Sequence, residues 1–486
     1  MSVASWEPAR VLLVDHRAAD RAGAHADGCL KARSTGLRAK GRTRMAGPLR
    51  IALAGLGTVG AGVIRLLDAN AALIARRAGR TIEITAVSAR DRTKERGVDI
   101  TRFAWDDDMT ALAARDDVDV VVELVGGSDG PALTCARAAL GRGKALVTAN
   151  KAMIAHHGLE LAQAAEAAGV ALKFEAAVAG GIPVIKGLRE GAAANAIERV
   201  YGILNGTCNY ILSTMEDTGR DFADVLAEAQ AKGFAEADPA FDIDGVDAAH
   251  KLAILASIAF GSRIDFAPVE TAGIRRVLAA DIAQADQLGY CIRLIGMAEV
   301  DGSDLFQRVH PYLVPRQHPL AHVDGATNAV VAEGNFSGRL LFQGAGAGDG
   351  PTASAVVADL IDIARQTVRG GEVGAPFSIP VAELEAMASA ASGNRVGKAY
   401  LRFIVADRPG VLAEIAAAMR DAGVSIESLI QHGGQAHLGG ADAGGQVLIA
   451  LVTHDGPERC IAEALRLLDG SESLVEPPLV MHILGD

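Results

Sequence analysis

Residues 229–251 crowd carboxylates ahead of a lysine, and these groups together can move a proton and bind an amine. The segment ends in D-I-D-G-V-D-A-A-H-K, and a helix over this end would bring Asp247 and Lys251, four residues apart, onto one face. A lysine beside a carboxylate can exchange a proton with a substrate, while the remaining carboxylates of the cluster can bind an amine. These are Glu236, Asp238, Asp242 and Asp244. An exposed acidic loop with a surface ion pair is the alternative interpretation.

Part of the same segment is similar to a calcium-binding loop, since Asp242 and Asp244 precede Gly245. Ala240 and Lys251 occupy the positions of the first and last ligands of such a loop. Neither side chain can supply an oxygen, so the sequence excludes this calcium site.

Composition and charge limit the classes of protein to consider. A chain of 486 residues, of which 50% are hydrophobic, can form two to four domains with large cores. It contains no run of about 18 apolar residues to indicate a membrane span. A net charge of -12 without a basic stripe argues against nucleic acid as a partner. The five cysteines are scattered and form no C-x-x-C pair, which predicts reduced thiols, a cytoplasmic location and no zinc site.

The N-terminal residues differ from the rest of the chain. Residues 1–44 carry nine Lys and Arg against four Asp and Glu, a net charge of +5 that leaves −17 for the remainder. They lack the apolar core of a secretory signal, and their acids argue against a basic transit peptide. We expect residues 1–48 to be a disordered extension or to precede the true start, which would be Met45.

Residues 49–89 predict a βαβ unit that binds a dinucleotide. A buried strand from Leu49 enters a G-x-G-x-x-G turn, an amphipathic helix is expected to about Arg77, and a second strand covers residues 81–89. The glycines let the backbone approach a pyrophosphate, whose negative charge the helix N-terminus stabilises. The predicted contacts are Gly55, Gly57, Thr58, Val59 and Gly60.

The end of the second strand bears on the choice of cofactor. It reads V-S-A-R, with no acid at the strand end to bind ribose hydroxyls. The guanidinium of Arg90 suits a 2′-phosphate, so the sequence favours NADP(H) and leaves NAD(H) possible. Arg90 as a solvated loop residue is the alternative.

Two further strands are expected to end near the cofactor. The strand at 118–125 is followed by G-G-S-D-G, a serine hydrolase pattern, but no triad histidine can be singled out. We therefore expect Ser128 to lie beside the cofactor. A strand over 145–151 ends in Lys151, which can reach the cofactor or the substrate.

Two polar or glycine-rich turns are additional candidates for the site. Asn205 and Thr207 lie between apolar runs and can hydrogen-bond a small ligand or simply close a turn. The segment 340–356 lacks the G-K-[ST] of a Walker loop, but its glycines, including Gly348, precede a helix expected near Pro351.

Residues 399–486 form a separate module. Their alternation of apolar runs and turns predicts the order βαββαβ, which is typical of a ferredoxin-like sandwich.

These motifs resemble those of the homoserine dehydrogenase family, in its monofunctional form. The segment 229–251 matches the family signature at Gly233, Asp238, Pro239, Asp242, Gly245, Asp247 and Lys251. T-A-N-K, E-A-A-V-A-G-G-I-P, G-I-L-N-G-T-C-N-Y and G-A-G-A-G-x-x-P-T-A-S-A follow in the family's order. The resemblance covers about residues 49–390, and residues 399–486 resemble an ACT domain.

The resemblance implies an α/β chain of three domains. These are a Rossmann-type NAD(P)-binding domain at 49–185 to which 340–390 return, an α+β substrate and dimerisation domain at 186–339, and an ACT domain at 399–486. A homodimer or homotetramer is expected.

The implied activity is the NAD(P)H-dependent interconversion of L-aspartate 4-semialdehyde and L-homoserine, on the route to threonine and methionine. By matching position, Lys251 becomes the proton donor and acceptor, Lys151 assists at the same oxygen, and Glu236 and Asp247 bind the substrate. Asp242, Asn205 and Thr207 complete the expected substrate site, and Gly233 is expected at the cofactor. The family's sodium site implies ligands, mostly backbone carbonyls, at Glu175, Val178, Gly180 and Ile182.

Several alternatives stay open at this point. The ACT module is expected to bring feedback inhibition by threonine, but it can also be a dimerisation domain without effector sites. A different Rossmann oxidoreductase, such as an aspartate dehydrogenase, is a second possibility. A sensor that binds amino acid and NADP without turnover is a third, although such a sensor needs neither Lys151 nor Lys251.

Overall fold

The computed structural model describes residues 47–433 and 445–485. Nearly all of the predicted N-terminal extension therefore lies outside the described residues. The helices are α1 (Thr58–Ala69), α2 (Ala71–Ala78), α3 (Met109–Leu112), α4 (Pro131–Gly141), α5 (Lys151–Ala168), α6 (Val184–Lys186), α7 (Gly206–Thr218), α8 (Phe222–Ala231), α9 (Ala240–Ile243), α10 (Val246–Phe260), α11 (Ala279–Gln287), α12 (Asp349–Arg369), α13 (Val411–Asp421) and α14 (Glu458–Leu467).

The strands are β1 (Leu49–Ala54), β2 (Ile82–Ser88), β3 (Ala104–Trp105), β4 (Val120–Glu123), β5 (Ala145–Thr148), β6 (Leu172–Lys173), β7 (Ile197–Ile203), β8 (Glu270–Thr271), β9 (Tyr290–Asp301), β10 (Asp304–Pro315), β11 (Thr327–Gly334), β12 (Gly338–Ala345), β13 (Ala388–Ser389), β14 (Val396–Gly397), β15 (Ala399–Ala406), β16 (Ile426–Gly433), β17 (Gln446–Thr453), β18 (Gly456–Pro457) and β19 (Leu479–Ile483).

The first sheet is parallel, with the strand order β3-β2-β1-β4-β5-β6. This is the order of a dinucleotide-binding fold, in which the ligand crosses the sheet where the order reverses, here between β1 and β4. Helices cover both faces, so β4 and β5 are buried throughout and read as continuous apolar runs. The Rossmann-type prediction is confirmed.

Helix α12 returns from far along the chain to the nucleotide-binding sheet. Its apolar residues, among them Val356 and Leu360, share one hydrophobic cluster with Ile51 and Val63 of the β1–α1 unit. Glycine is required at residue 62 of α1, because a Cβ there would collide with Asp349 of α12.

The second sheet has eleven strands and is mixed. Its main path is β12-β11-β7-β9-β10-β19-β15-β17-β16, and β8 and β13 also pair with β10. Helix α10 packs against β7, β9 and β10, and its residues from Asp247 to Ile258 are all buried. The sheet thereby fixes the helix that carries Asp247 and Lys251.

The C-terminal module has the predicted βαββαβ order, from β15 to β19, and its last strand extends the second sheet. Tyr312 and Leu313 of β10 pair in parallel with His482 and Ile483 of β19. The module is therefore joined to the sheet by backbone hydrogen bonds as well as by its linker.

Three local expectations were wrong. The first helix bends by 84° between α1 and α2, although no proline or glycine breaks it there. The strand expected over 145–151 ends at Thr148, and Lys151 begins α5 instead. The polar turn at Asn205 is the cap of a full helix, α7.

Among the described residues, no single helix has both the length and the apolar character needed to cross a membrane, although the bent α1–α2 pair meets that test by length and composition.

Candidate active site

A cavity of about 620 Å³ opens at the carboxyl ends of β1 and β4, between the two sheets. It lies at the reversal of strand order, where a ligand is expected in this fold. The predicted site residues that line it are Val59, Lys151, Gly180, Asn205, Thr207, Gly233, Glu236, Asp242, Asp247, Lys251 and Gly348.

The glycine turn after β1 has the shape that a pyrophosphate needs. Gly55 has φ +103°, and a Cβ there would lie 2.7 Å from the carbonyl oxygen of Leu124. A Cβ on Gly60 would collide with the carbonyl of Gly55, whereas one on Gly57 would meet no protein atom within 4 Å. Gly55 and Gly60 are thus required by the fold, while the space over Gly57 is left for a ligand.

The helix that follows is also suited to an anion. Helix α1 begins at Thr58, and no side chain caps its N-terminus. Its first N–H groups are available to phosphate oxygens, and the helix dipole favours negative charge there. The residues present therefore fit the phosphates of a dinucleotide.

Arg96 and Glu123 organise this end of the cavity, and the sequence analysis missed both. Arg96 donates to the carbonyl oxygen of Leu56 in the glycine turn, at 3.0 Å. The fully buried carboxylate of Glu123 accepts hydrogen bonds from the N–H groups of Val125 and Gly126, at 2.7 and 3.2 Å. For Glu123, a single acid at the end of the apolar run V-V-V-E could have indicated a functional residue. No sequence feature indicated Arg96.

Asn150 positions Lys151 at the cavity wall. Its side chain caps α5 by accepting from the N–H of Met153 at 3.1 Å, and it donates to the carbonyl of Gly127 at 2.7 Å. This cap begins the helix at Lys151 and turns that side chain toward the second sheet. Its ammonium lies 3.0 Å from Asp247 Oδ1 and over the ring of Phe241.

Helix α10 brings Asp247 and Lys251 together, as predicted. Lys251 Nζ donates to Asp247 Oδ2 at 2.7 Å and to the carbonyl oxygen of Leu204 at 2.8 Å. An ammonium has three N–H groups, so one is left to face the cavity. The residue is only 9% exposed, which excludes a freely solvated surface lysine.

Asn205 holds two carboxylates at once. Its amide nitrogen donates to Asp247 Oδ2 at 2.8 Å and to Asp242 Oδ1 at 2.9 Å, while its oxygen caps α7. Thr207 donates to the other oxygen of Asp242 at 3.1 Å or to the carbonyl of Phe234 at 2.8 Å. Asn205 and Thr207 are therefore structural supports of the acidic residues as well as part of the lining.

The charges of this cluster stabilise one another. Burial alone raises the pKa of Asp247, but the ammonium groups of Lys251 and Lys151 outweigh it and hold that pKa well below its usual range. Burial lowers the pKa of Lys151, yet the charge of Asp247 prevails and the pKa is raised. Asp247 is thus a permanent anion shared by two cations.

Two polar groups at the cavity remain available to a ligand. The carboxylate of Glu236 makes no hydrogen bond or ion pair with any described residue, and it adds to the charges that raise the pKa of Lys151. Asn328, which the sequence analysis missed, has an amide nitrogen without a partner within the described chain.

Arg90 and Ser128 do not line the cavity. Arg90 is exposed just beyond β2. Ser128 donates to Asp129 Oδ2 at 2.7 Å, and His157 contacts the same carboxylate at 2.9 Å. The serine therefore faces an acid and not a histidine, which argues against a hydrolase triad.

The expected sodium ligands lie on one loop against the glycine loop before α12. Ala179 and Gly180 have φ values of 54° and 53°, and a Cβ on Gly180 would lie 2.5 Å from the carbonyl oxygen of Gly346. The carbonyl oxygens of Val178 and Gly180 receive no hydrogen bond from the described residues. Oxygen donors of this kind fit a hard cation.

Glu175 itself is buried behind this loop. Its carboxylate accepts from the N–H groups of Ile185 and Lys186, at 3.0 and 2.9 Å. Burial raises its pKa to about 7, and the neighbouring Asp359 adds to the effect. The carboxylate thus caps α6. The backbone carbonyl, which accepts the N–H of Val178 at 3.4 Å, is the remaining oxygen of Glu175 that can face a cation.

A pair of histidines packs behind the lysines. His250 of α10 lies 3.1 Å from His156 of α5 between their Nε2 atoms, with Phe266 against both rings. Burial lowers the pKa of His250 to about 4, so it adds no charge beside Lys151 at neutral pH. His156 lies in the second turn of α5.

The chain matches three protein families in sequence. Residues 55–175 match the family described as "Homoserine dehydrogenase, NAD binding domain", residues 183–361 match "Homoserine dehydrogenase", and residues 399–466 match "ACT domain". A homoserine dehydrogenase of Pseudomonas aeruginosa is 44% identical over 445 residues, which cover 90% of this chain and 99% of that protein. One of Synechocystis is 41% identical, covering 90% and 100% of the two chains.

Solved structures agree with these sequence matches. A homoserine dehydrogenase from Thiobacillus denitrificans has a TM-score of 0.83 at 40% identity and covers 91% of this chain and 99% of its own. A hyperthermophilic archaeal homoserine dehydrogenase in complex with NADPH has a TM-score of 0.57 at 26% identity, with 67% and 99% covered.

Replacing Asp247 by Asn tests the shared anion. Without its charge, the largest effect that raises the pKa of Lys151 is lost and that pKa falls, while both ammonium groups lose their anchor. We expect kcat/KM to fall by about 10²-fold or more, as for a small misplacement of reacting groups. The pKa of Lys151 is measured by NMR of the protein labelled at lysine Cε, with Lys151→Arg to assign the signal.

The matched control is Asp244→Asn, an acid of the same segment that pairs with Arg275 at the surface. An Asp247→Asn protein with wild-type turnover and an unmoved Lys151 titration would contradict this account.

Proposed function

Because this chain belongs to the homoserine dehydrogenase family and is an NAD(P)-dependent oxidoreductase of that kind, we propose that Lys251 is its proton donor and acceptor. The observation that carries this proposal is the bonding of Lys251 Nζ. Two of its N–H groups are fixed by Asp247 and Leu204, and the third is free toward the cavity.

The reaction interconverts L-aspartate 4-semialdehyde and L-homoserine. A nicotinamide cofactor bound at the glycine turn would supply hydride to the aldehyde carbon, or accept it from the same carbon of the alcohol. In the reductive direction, Lys251 stabilises the developing alkoxide and gives it a proton. In the oxidative direction, neutral Lys251 takes the hydroxyl proton.

Lys151 and Glu236 complete the proposed arrangement. Lys151, held by Asp247, adds a second positive charge toward the same oxygen. The unpartnered carboxylate of Glu236 receives the substrate ammonium, and Asp242, fixed by Asn205 and Thr207, adds negative charge on that side. The substrate is thus oriented by charge at both ends.

For the cofactor, we propose a preference for NADP(H) over NAD(H). The archaeal relative in complex with NADPH supports a phosphorylated cofactor, and Arg90 follows β2 where a 2′-phosphate is expected in this fold. Gly55, Gly57, Thr58, Val59, Gly60, Gly233 and Gly348 are the other proposed contacts, with Ser128 farther out.

We further propose a sodium ion bound by backbone carbonyls of Glu175, Val178, Gly180 and Ile182. The ion would supply a positive charge that holds the 175–182 loop against the glycine loop before α12. Its support is the pair of carbonyls without donors and the left-handed backbone at residues 179 and 180.

We propose that threonine inhibits the enzyme through the ACT domain. The support is the domain itself and its continuity with the second sheet through β19. The NAD(P)-binding, substrate and ACT domains are proposed at 49–185 with 340–390, 186–339 and 399–486.

Self-association into a homodimer or homotetramer also belongs to the proposal, as does a cytoplasmic location. The edge strand β12 carries Leu341 at 43% exposure, and Phe336 at the neighbouring turn is 89% exposed, as suits a surface between subunits.

Lys251→Ala tests the proton donor. Turnover is expected to fall by about 10²–10⁴-fold, the usual range for losing a general acid. The affinity for NADPH, measured by fluorescence titration, should be retained because the glycine turn is untouched. Lys232→Ala is the control, since Lys232 pairs with Glu228 at the surface; turnover near wild type in Lys251→Ala would exclude the residue from the mechanism.

Arg90→Ala tests the choice of cofactor. We expect KM for NADPH to rise at least about tenfold, the effect of losing one charged contact worth roughly 1.4 kcal/mol, with little change for NADH. Steady-state assays with each cofactor measure this. Arg137→Ala, a surface arginine paired with Glu160, is the control; equal changes for both cofactors would refute a 2′-phosphate contact.

Sodium binding is tested by thermal unfolding of the full chain in NaCl, KCl and choline chloride at equal ionic strength. Because an ion that binds only the folded state stabilises it, the melting temperature should rise saturably with Na⁺ above the choline value. Identical melting in all three salts would rule out the site.

Threonine inhibition is tested on the full chain. L-Threonine should lower turnover saturably, with a coupling of about 1–3 kcal/mol, or roughly 5- to 150-fold, between effector and substrate binding. D-Threonine is the control for stereospecific recognition. Unchanged kinetics at saturating L-threonine would leave the ACT domain without this role.

A further inference from the structure

A second cavity, of about 370 Å³, lies between the second sheet and the C-terminal module. We call it the junction cavity; its charged and polar lining includes Arg199, Glu299, Arg395, Lys398, Asp455 and His482. Strands β7 and β9 form one wall, with Arg199 opposite Glu299 in register. The β14–β18 pair and the end of β19 form the other. It shares no lining residue with the active-site cavity.

The cavity offers both signs of charge with unused hydrogen-bonding capacity. Asp455 makes no hydrogen bond or ion pair with any described residue. Arg199 binds Glu333 through Nε, and its Nη2 lies 3.0 Å from the same carboxylate. Its Nη1 reaches only the carbonyl of Gly485, at 3.4 Å. Arg395 binds Glu299 through Nη2, and its Nη1 has no partner in the described chain.

The lining is balanced overall. Arg199, Arg395 and Lys398 oppose Glu299, Asp455 and Glu458, and burial lowers the pKa of His482 to about 3, so that the imidazole stays neutral. A net-neutral cavity with separated charges disfavours a simple anion or cation. It suits a zwitterion whose carboxylate meets the guanidinium groups and whose ammonium meets Asp455. The volume lies within the range of small-molecule pockets.

Strand β7 connects this cavity to the active site. Arg199 lies near its start, and the residues directly after its end are Leu204 and Asn205. The backbone carbonyl of Leu204 accepts a hydrogen bond from Lys251. The side-chain amide of Asn205 donates to Asp247 and Asp242. At about 3.3 Å per residue, roughly 17 Å of extended backbone separate the two sites.

A small shift of this strand would reach the lysine directly. β7 is paired on both sides, with β9 and β11, so it moves together with its neighbours and does not bend locally. Gly202 leaves no room for a side chain against β11, which keeps the two strands in close contact. A ligand that draws Arg199 toward the module would therefore change the position of the Leu204 carbonyl.

We propose that the junction cavity binds a free L-α-amino acid, and that its occupancy reaches Lys251 through strand β7. This rests on the proposed regulation by threonine and assigns it a site inside one chain. The ammonium binds Asp455, the carboxylate binds Arg199 and Arg395, and the amino-acid side chain lies toward Met297.

The test is calorimetric titration of the full chain with L-threonine, L-isoleucine, L-methionine and L-threoninamide. Asp455→Asn and Arg395→Gln should each weaken amino-acid binding at least tenfold. The controls Asp421→Asn and Arg420→Gln, an exposed ion pair on α13, should leave it within twofold of wild type. L-Threoninamide, which lacks the carboxylate, should bind at least tenfold more weakly than L-threonine.

The same proteins are assayed for turnover, with each rate under amino acid divided by that protein's own rate without it. Inhibition should weaken in parallel with binding. Threonine inhibition that persists in both cavity variants overturns the junction cavity but keeps regulation by threonine. A third outcome is that another amino acid, and not threonine, binds and inhibits, and that the cavity variants weaken both effects. This outcome supports the junction cavity as the site and excludes threonine as its ligand. Absence of binding by every amino acid tried overturns the site.

Discussion

The carboxylate of Asp247 is the interaction on which the rest of the site depends. It is 3% exposed, and an unpaired charge at that depth would cost several kcal/mol. Lys251, Lys151 and Asn205 each contact it, from α10, from α5 and from the turn after β7. One anion therefore brings together two helices and a turn, which belong to the layers of the two sheets. The active-site cavity lies beside this meeting point.

The two halves of the cavity are joined by close backbone contacts at glycines. Gly180 approaches the carbonyl of Gly346, and a Cβ on Gly181 would lie 2.7 Å from Pro351. A side chain at either position would push the 175–182 loop away from the start of α12. The cofactor side of the cavity would then move away from the substrate side. Hydride and proton must be transferred to neighbouring atoms of one substrate. The distance between the two sides of the cavity can therefore vary little.

Local spacing predicted the parts of the site that lie within one element. The i, i+4 pair of Asp247 and Lys251, the glycine turn and the βαββαβ module all follow from short-range patterns. Sequence spacing cannot show that Lys151 meets Asp247, since that contact depends on how α5 packs on α10. The cap at Asn150 was readable, because Asn before a helical run is a start signal; the strand prediction overlooked it. The bend at Asn70 had no breaker residue to reveal it.

The ACT module is tied to the second sheet by strand pairing. A domain on a flexible tether communicates only when it docks, but β19 is hydrogen-bonded to β10, and β10 is paired with β9, which in turn pairs with β7. Tyr400 of β15 also donates to the buried carboxylate of Asp281 in α11, beside the same sheet. Displacing the module without straining the sheet is therefore not possible. Any free energy that a ligand gains by moving β19 is divided between the module and the strands that support α10. The proposed coupling to Lys251 therefore depends on one continuous sheet.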